Sequence, residues 1–363
     1  MNKPIYFPGL NGIRAIAAIT VVICHLDQFA EVLGLQSIGF YKKGMAGQAV
    51  NMFFVLSGFL ITYLLLKEKE EKGRIEFKKF YFRRILRIWP IYYLSIILTL
   101  VLIYAGILDH STASLGSSIA LYVFLLANVA IAFNLTVPTI TPLWSVGVEE
   151  QFYAMWPWIV NKTKNYFKAF MWVIAIYMLL KLSCYFFFLK NGIYALVNYT
   201  RIDLMAIGGI GALAVFTNDK RLAILFNPIV QVIGWVVMFV MYRTGIIRIS
   251  SIVDNEINSV FAFIVILNVA ANAKTMFTLE HKIFNFLGKI SYGIYVYHML
   301  VIYCVGYAIH KLSFNIGNRI ALNVICIALT ILFAHISYKY FEQPILRKKK
   351  KYMVVASSNE KEA

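Results

Sequence analysis

The chain has 363 residues, 60% of them hydrophobic and 14% charged, with a formal net charge of +18. A soluble globular domain is nearer half apolar and a quarter charged, so the composition excludes an ordinary soluble domain. The basic surplus sits in short clusters between apolar blocks, where it sets membrane orientation rather than marking a nucleic-acid partner.

The apolar blocks fall roughly at 9–29, 46–66, 85–106, 116–136, 144–160, 166–188, 202–217, 223–243, 252–272, 286–308 and 317–340. Each has about the length a helix needs to cross a bilayer. The first carries Arg14 and is followed by no small-residue cleavage site, so it reads as a retained span. Cys24, Cys184, Cys304 and Cys326 lie singly inside apolar blocks, a pattern that predicts neither disulfides nor a zinc site.

Basic linkers at 67–87, 162–168, 220–221 and 274–282, and the tail at 347–351, are expected on the cytoplasmic side. Three blocks lie between the linkers 67–87 and 162–168, whereas two loops on one side require an even number of crossings. The block 144–160, with Glu149, Glu150 and Pro157, is the one expected to be partial or re-entrant. The fold class is then all-α integral membrane: a bundle of about ten transmembrane helices plus one partial helix, both termini cytoplasmic. Residues 1–345 form the membrane domain and 346–363 a basic cytoplasmic tail.

Charged and polar groups inside spans are costly and mark function. Arg14 and His25 are eleven residues apart, on one helical face and roughly 16 Å from each other. Histidine suits general-base work near neutral pH and arginine suits an anionic group. The alternative has Arg14 snorkelling to the interface and His25 bonded to a neighbouring helix. Arg83, Arg84 and Arg87 follow the second span, either as a positive-inside anchor or as a cradle for the phosphates of a nucleotide-type donor.

Glu149 and Glu150 are adjacent carboxylates in an aromatic stretch. They are suited to proton transfer or to orienting a histidine, and equally to an ion pair with Arg201 or an arginine of the third span. Arg201 and Asp203 open a block in which Gly208, Gly209 and Gly211 allow close helix approach, a structural role. Ser291, Tyr295 and His298 recur at helical spacing as a polar stripe facing a cavity or another helix. Glu342, near the basic tail, reads as a structural pair at the membrane edge.

Taken in order, these segments resemble the acyltransferase-3 family of membrane O-acyltransferases. Arg14 and His25 match its Arg-x10-His pattern. Residues 53–59 match its FFVLSGF stretch, with Ser57 and Gly58, and residues 83–93 its RRxxRIxPxYY stretch. Residues 145–157 resemble SVEEQFYxxWP, with Gly147 as an extra residue or in place of the usual one, and residues 291–298 match SYxxYxxH. Two positions depart from the pattern: Asn51 stands where the family often has Asp, and Ala49 where it usually has Gly. The chain resembles the members without a hydrolase domain after the membrane core.

The resemblance implies a multi-pass enzyme of the bacterial cytoplasmic (inner) membrane that moves an acyl group from acyl-CoA, acetyl-CoA above all, onto a carbohydrate or glycolipid hydroxyl. Acyl-CoA is a co-substrate; no bound cofactor or metal is implied. The donor phosphates would lie near Arg14 and Arg83, Arg84 and Arg87, with the thioester reaching toward His25 as base. Glu149 or Glu150 would relay or orient, and Ser57, Ser291, Tyr295 and His298 would line the polar cavity. The rival reading is a transporter or flippase of polysaccharide precursors, which predicts an internal repeat that the sequence lacks.

Overall fold

The computed structural model describes residues 5–33, 35–108, 115–189, 191–244, 249–311 and 319–354, which form helices α1 to α16. These are α1 Leu10–Val32, α2 Met45–Lys72, α3 Phe77–Tyr104, α4 Leu115–Val123, α5 Ala127–Ala132, α6 Leu143–Lys162, α7 Tyr166–Phe188 and α8 Gly192–Tyr199. They continue as α9 Ile202–Phe216, α10 Leu222–Leu225, α11 Pro228–Thr244, α12 Asp254–Ala271, α13 Lys282–Lys289, α14 Ser291–Lys311, α15 Arg319–Ser337 and α16 Gln343–Lys349. A π-helical turn, Tyr338–Glu342, joins the last two.

Eight helical stretches among the described residues are long and apolar enough to cross a membrane. They are α1, α2, α3, α7, the run Gly192–Phe216, α12, α14 and the run Arg319–Lys349. The 17-residue α11 is shorter, and the 20-residue α6 is long enough but not among the eight. Phe187 and Phe239 on the outer surface are 78% and 70% exposed. A face of that kind is normal against lipid and costly in water.

One block behaves differently from the sequence expectation. The block 116–136 is no continuous helix. It breaks into α4 and α5 at residues 124–126, where Leu125 takes a left-handed φ of 60°. The cause lies on α6. Gly147 has no side chain, and a Cβ there would stand 2.7 Å from the Leu125 carbonyl oxygen. Gln151, one turn on, donates to that same carbonyl at 3.2 Å and to Asn128 Oδ1 at 2.9 Å. The block 144–160, expected to be partial, is a continuous helix, α6, with Pro157 buried inside it, and it is not among the eight stretches long and apolar enough to cross.

The bundle's tightest crossing is between α2 and α9, and it is reciprocal. A Cβ on Gly58 would lie 1.9 Å from the Met205 carbonyl oxygen, and one on Gly208 would lie 2.0 Å from that of Val55. Small residues at such a crossing let helix backbones touch. This matches the structural role expected for the glycine cluster.

The basic loops gather at one end of the bundle. Lys69 near the end of α2 donates to the carbonyls of Val160 and Asn161 at 3.0 and 2.8 Å, capping the last turn of α6. Arg221 lies over the Phe167 ring at 5.3 Å. Arg83 donates to the Tyr352 carbonyl at 2.9 Å, so the tail docks at the same end. The N-terminus of α1 is there too. The Glu280 carboxylate accepts the Gly9 N–H at 2.6 Å, as a helix N-terminus favours, and also binds the Tyr6 hydroxyl.

At the opposite end, fully buried Asp27 accepts from Ile38 N–H, Tyr41 N–H and the Ser37 hydroxyl, and pairs with Arg319. It holds the α1–α2 loop against α15.

Candidate active site

A cavity of about 160 Å³ opens at the basic end between α1, α2, α3, α6, α14 and α16. Its floor and walls are apolar, from Leu10, Phe53, Phe54 and Ile88 among others. Tyr6, Arg14, Ser57, Arg84, Arg87, Ser145, Glu149, Tyr153, Ser291, Tyr292, Tyr295 and Lys349 are its polar lining. Arg14, Arg84, Arg87, Glu149, Ser57, Ser291 and Tyr295, singled out from the sequence, thus meet in one space.

Glu149 is the cavity's carboxylate. Its Oε1 accepts from the Ser57 hydroxyl at 2.8 Å and its Oε2 from the Tyr153 hydroxyl at 3.1 Å. Neighbouring helix residues are turned by about 100°, so Glu150 points elsewhere. Its Oε2 accepts from Trp89 Nε1 at 2.9 Å, while its buried Oε1 has no hydrogen-bond partner among the described residues. Of the pair, Glu149 is the one the cavity presents.

Ser145, Glu149 and Tyr153 recur every four residues on α6, one helical face. Ser145 and Tyr153 were not singled out from the sequence, although that spacing would have found them. Ser145 Oγ lies 2.7 Å from the Tyr295 hydroxyl, which also donates to the Pro142 carbonyl at 3.0 Å. Tyr292, likewise missed, donates to the Ile88 carbonyl at 2.9 Å.

His25 does not line this cavity. It lies deeper along α1, stacked on His298 of α14 with ring centroids 5.0 Å apart, and His25 Nδ1 is 2.9 Å from His298 Nε2. His298 is fully buried, one turn beyond Tyr295, and its Nδ1 is 2.7 Å from the Tyr295 carbonyl oxygen. A carbonyl only accepts, so Nδ1 of His298 carries a proton. With His298 neutral, its Nε2 is a lone pair and must accept from His25 Nδ1–H. That leaves Nε2 of His25 unprotonated, the form a general base needs. A polar track therefore runs from the cationic cavity through Tyr295 to the histidine pair.

Arg83 lies apart from the cavity. It is buried in an ion pair with Glu68 Oε2 at 2.8 Å and donates to the Tyr352 carbonyl, tying α2, α3 and the tail together. Of the three arginines singled out from the sequence, Arg84 and Arg87 line the cavity and Arg83 does not. On a helix, Arg83 and Arg84 point about 100° apart. Removing the buried partner with Glu68→Ala strands the Arg83 charge, and breaking such a pair costs about 3 kcal/mol. The expected result is a clearly lower melting temperature in detergent, with Glu68→Gln losing less.

Neither Glu149 nor Glu150 pairs with Arg201. That guanidinium donates to Asn51 Oδ1 at 2.6 Å and to the Gly47 carbonyl at 3.3 Å, and lies over the Trp144 ring at 5.2 Å. Asn51, a departure from the family pattern, serves Arg201 through its amide oxygen. Lys181 pairs with Glu256 at 2.5 Å beside buried Asp203. Glu342 is buried in the π-helical turn, in the field of Arg87, and among the described residues its Oε1 has no hydrogen bond. Among the described residues no three His, Cys, Asp or Glu side chains come together as metal ligands would.

Residues 7–339 match the family described as acyltransferase domain, of the acyltransferase-3 type. The chain is 28% identical over 380 aligned positions to the O-acetyltransferase OatA of Staphylococcus aureus strain NCTC 8325, covering 96% of this chain and 58% of that protein. The OatA protein of strain COL gives the same figures. The chain thus spans somewhat over half the length of these relatives. No solved structure matches it.

Proposed function

The chain belongs to the acyltransferase-3 family, and from that premise we propose that it is a membrane O-acetyltransferase carrying acetyl from acetyl-CoA to a hydroxyl of a cell-surface or lipid-linked carbohydrate. The observation that carries this reading is the polar track: a cationic cavity at one end and a histidine pair set roughly three helical turns deeper. Arg14 and His25 on α1 are roughly 16 Å apart. That separation suits a donor whose phosphates and thioester are joined by a long flexible arm.

In this reading Arg14, Arg84 and Arg87 hold the donor phosphates by charge-assisted bonds. The thioester reaches toward His25. His25 Nε2 takes the proton of the acceptor hydroxyl as its oxygen attacks the thioester carbonyl carbon. The C–S bond breaks, and the thiolate receives a proton as coenzyme A leaves. The net change is alcohol plus thioester to ester plus thiol. Glu149, fixed by Ser57 and Tyr153, positions the arginines. The apolar walls keep water from the thioester.

The basic end is then cytoplasmic. With α6 and α11 crossing beside the eight apolar stretches, and α4 and α5 not crossing, the spans number ten and both ends of the membrane domain face the cytoplasm. The linkers 67–87 and 162–168 come out on one side, as α3 and α6 alone separate them. The membrane is the bacterial cytoplasmic membrane.

The test is turnover in vesicles holding the chain, given acetyl-labelled acetyl-CoA from the basic side. Release of free thiol with label appearing in an ester of a carbohydrate supports the reading. Movement of a lipid-linked sugar without thiol release would support a flippase and sink it.

A further inference from the structure

A second concavity lies at the basic end of the bundle, on its outer surface. It is a groove of about 580 Å³ between the start of α7, the end of α9, α10 and α12. It shares no residue with the cavity that holds Arg14 and Glu149. Its walls are apolar, with Ile210 and Leu213 from α9, Ile224 from α10 and Phe263 from α12. Gly211 lets the last of these fold in, since a Cβ there would stand 2.6 Å from the Phe263 ring. Ile224 is 67% exposed, and Phe167 at the mouth is exposed as well. In a chain that spans a membrane, such a surface meets lipid.

The rim is cationic. Lys164, Asp219 and Arg221 line the groove, and Lys162, Lys168 and Lys220 are exposed beside them in sequence. Asp219 is engaged locally. Its Oδ2 accepts from Arg221 Nη2 at 2.7 Å, and its Oδ1 accepts the Arg221 N–H at 2.9 Å, which closes the turn into α10. The guanidinium lies over the Phe167 ring at 5.3 Å, so it is fixed at the mouth. Lys164 is exposed, and among the described residues it has no ion pair or hydrogen bond. Segments 162–168 and 219–221 together carry five cations against one carboxylate. Apolar walls under a cationic rim fit a molecule with an acyl chain and an anionic head. A soluble anion would use the rim alone, and a zwitterionic lipid sets its own cation against it.

We propose that this groove binds an anionic phospholipid, with an acyl chain along Ile210, Leu213 and Phe263 and the headgroup phosphate at Lys164 and Lys220. The assignment stands apart from the acetyl-CoA reading and needs only that this end of the bundle meets a lipid surface. The lipid would brace the end of α9, the helix whose Gly208 packs on α2. A ligand held by the folded bundle alone raises its stability by mass action.

The full chain is purified in an uncharged detergent and stripped of lipid, and its melting temperature is followed as dioleoyl-phosphatidylglycerol or dioleoyl-phosphatidylcholine is added. Wild type is expected to show a saturable rise with phosphatidylglycerol and little change with phosphatidylcholine at equal concentration. Lys164→Ala raises the half-saturating concentration about fivefold, the effect of one basic side chain at an anionic surface. Lys164→Ala combined with Lys220→Ala raises it about 25-fold. Both variants match wild type in elution and in melting temperature without lipid. Ala214→Phe fills the groove with its charges in place and abolishes the rise. Lys348→Ala, exposed outside the groove, leaves half-saturation unchanged.

An equal rise with phosphatidylcholine would overturn the assignment, since any lipid would then serve. So would unchanged half-saturation in Lys164→Ala, or an equal shift in Lys348→Ala, which would mark general electrostatics. Glycerol 1-phosphate carries the phosphate without an acyl chain and is expected to give no rise at the same concentrations. If it reproduced the effect, the rim would be a site for a soluble anion and the lipid assignment would fall.

Discussion

Replacing His25 with alanine is expected to reduce kcat for acetyl transfer by about a thousandfold, the loss typical of a positioned general base, while coenzyme A still binds with near wild-type affinity. The split follows from position. The cationic lining that would hold the donor is set at the basic end, whereas His25 lies three turns deeper and outside that cavity. Its loss therefore removes proton transfer and not phosphate contacts. Unchanged kcat in a His25→Ala protein that binds coenzyme A would end the general-base assignment.

His298 gives the companion test. The geometry has it donate from Nδ1 to the Tyr295 carbonyl and accept at Nε2 from His25. That arrangement fixes which nitrogen of His25 is free. His298→Ala is expected to cost about ten- to a hundredfold in kcat, as removing a partner that orients a functional histidine does, with no change in KM for the donor. A packing role alone would lower stability and leave the pH dependence of kcat in place. Loss of tautomer control alters that dependence, because His25 then chooses its own protonated nitrogen. Added imidazole rescuing His25→Ala, and failing to rescue His298→Ala, would separate base from positioner.

Much of this site was legible in the sequence because charge inside an apolar run is conspicuous. Arg14, His25, Glu149 and His298 stand out on that ground alone. Their partnership was not legible, since His25 and His298 are 273 residues apart and only the packing of α1 on α14 joins them. The break between α4 and α5 was hidden for a related reason. Residues 124–126 are Phe, Leu and Leu, with no turn residue among them. The break is imposed by Gly147 and Gln151 on another helix, a tertiary effect that overrides local pattern. Lys349 was hidden because a run of four lysines looks uniform, and only the turn of α16 distinguishes buried Lys349 from exposed Lys348.

Gly208→Leu is expected to yield no folded protein, and Gly208→Ala to lose about 3 kcal/mol, the upper part of the range for overpacking. The reason is that the obstacle is backbone. An added Cβ would stand 2.0 Å from the Val55 carbonyl oxygen and 2.8 Å from the Phe59 nitrogen, neither of which can rotate away as a side chain would. The helices must part. Gly58, packed 1.9 Å from the Met205 carbonyl by the same measure, meets α9 from the other helix, so relief at one contact opens both.

The damage would reach the site. Ser57, the residue before Gly58, holds Glu149 at 2.8 Å, and a shift of α2 breaks that bond. Gly208→Ala should therefore lose activity at temperatures where it is still folded. Gly47→Ala is the control. It lies in the same helix α2 with nothing within 4 Å of a new Cβ, and alanine favours helix over glycine by about 1 kcal/mol. Its melting temperature in detergent should equal or exceed wild type. If Gly208→Ala matched it, the close approach of α2 and α9 would not be what holds Ser57 against Glu149.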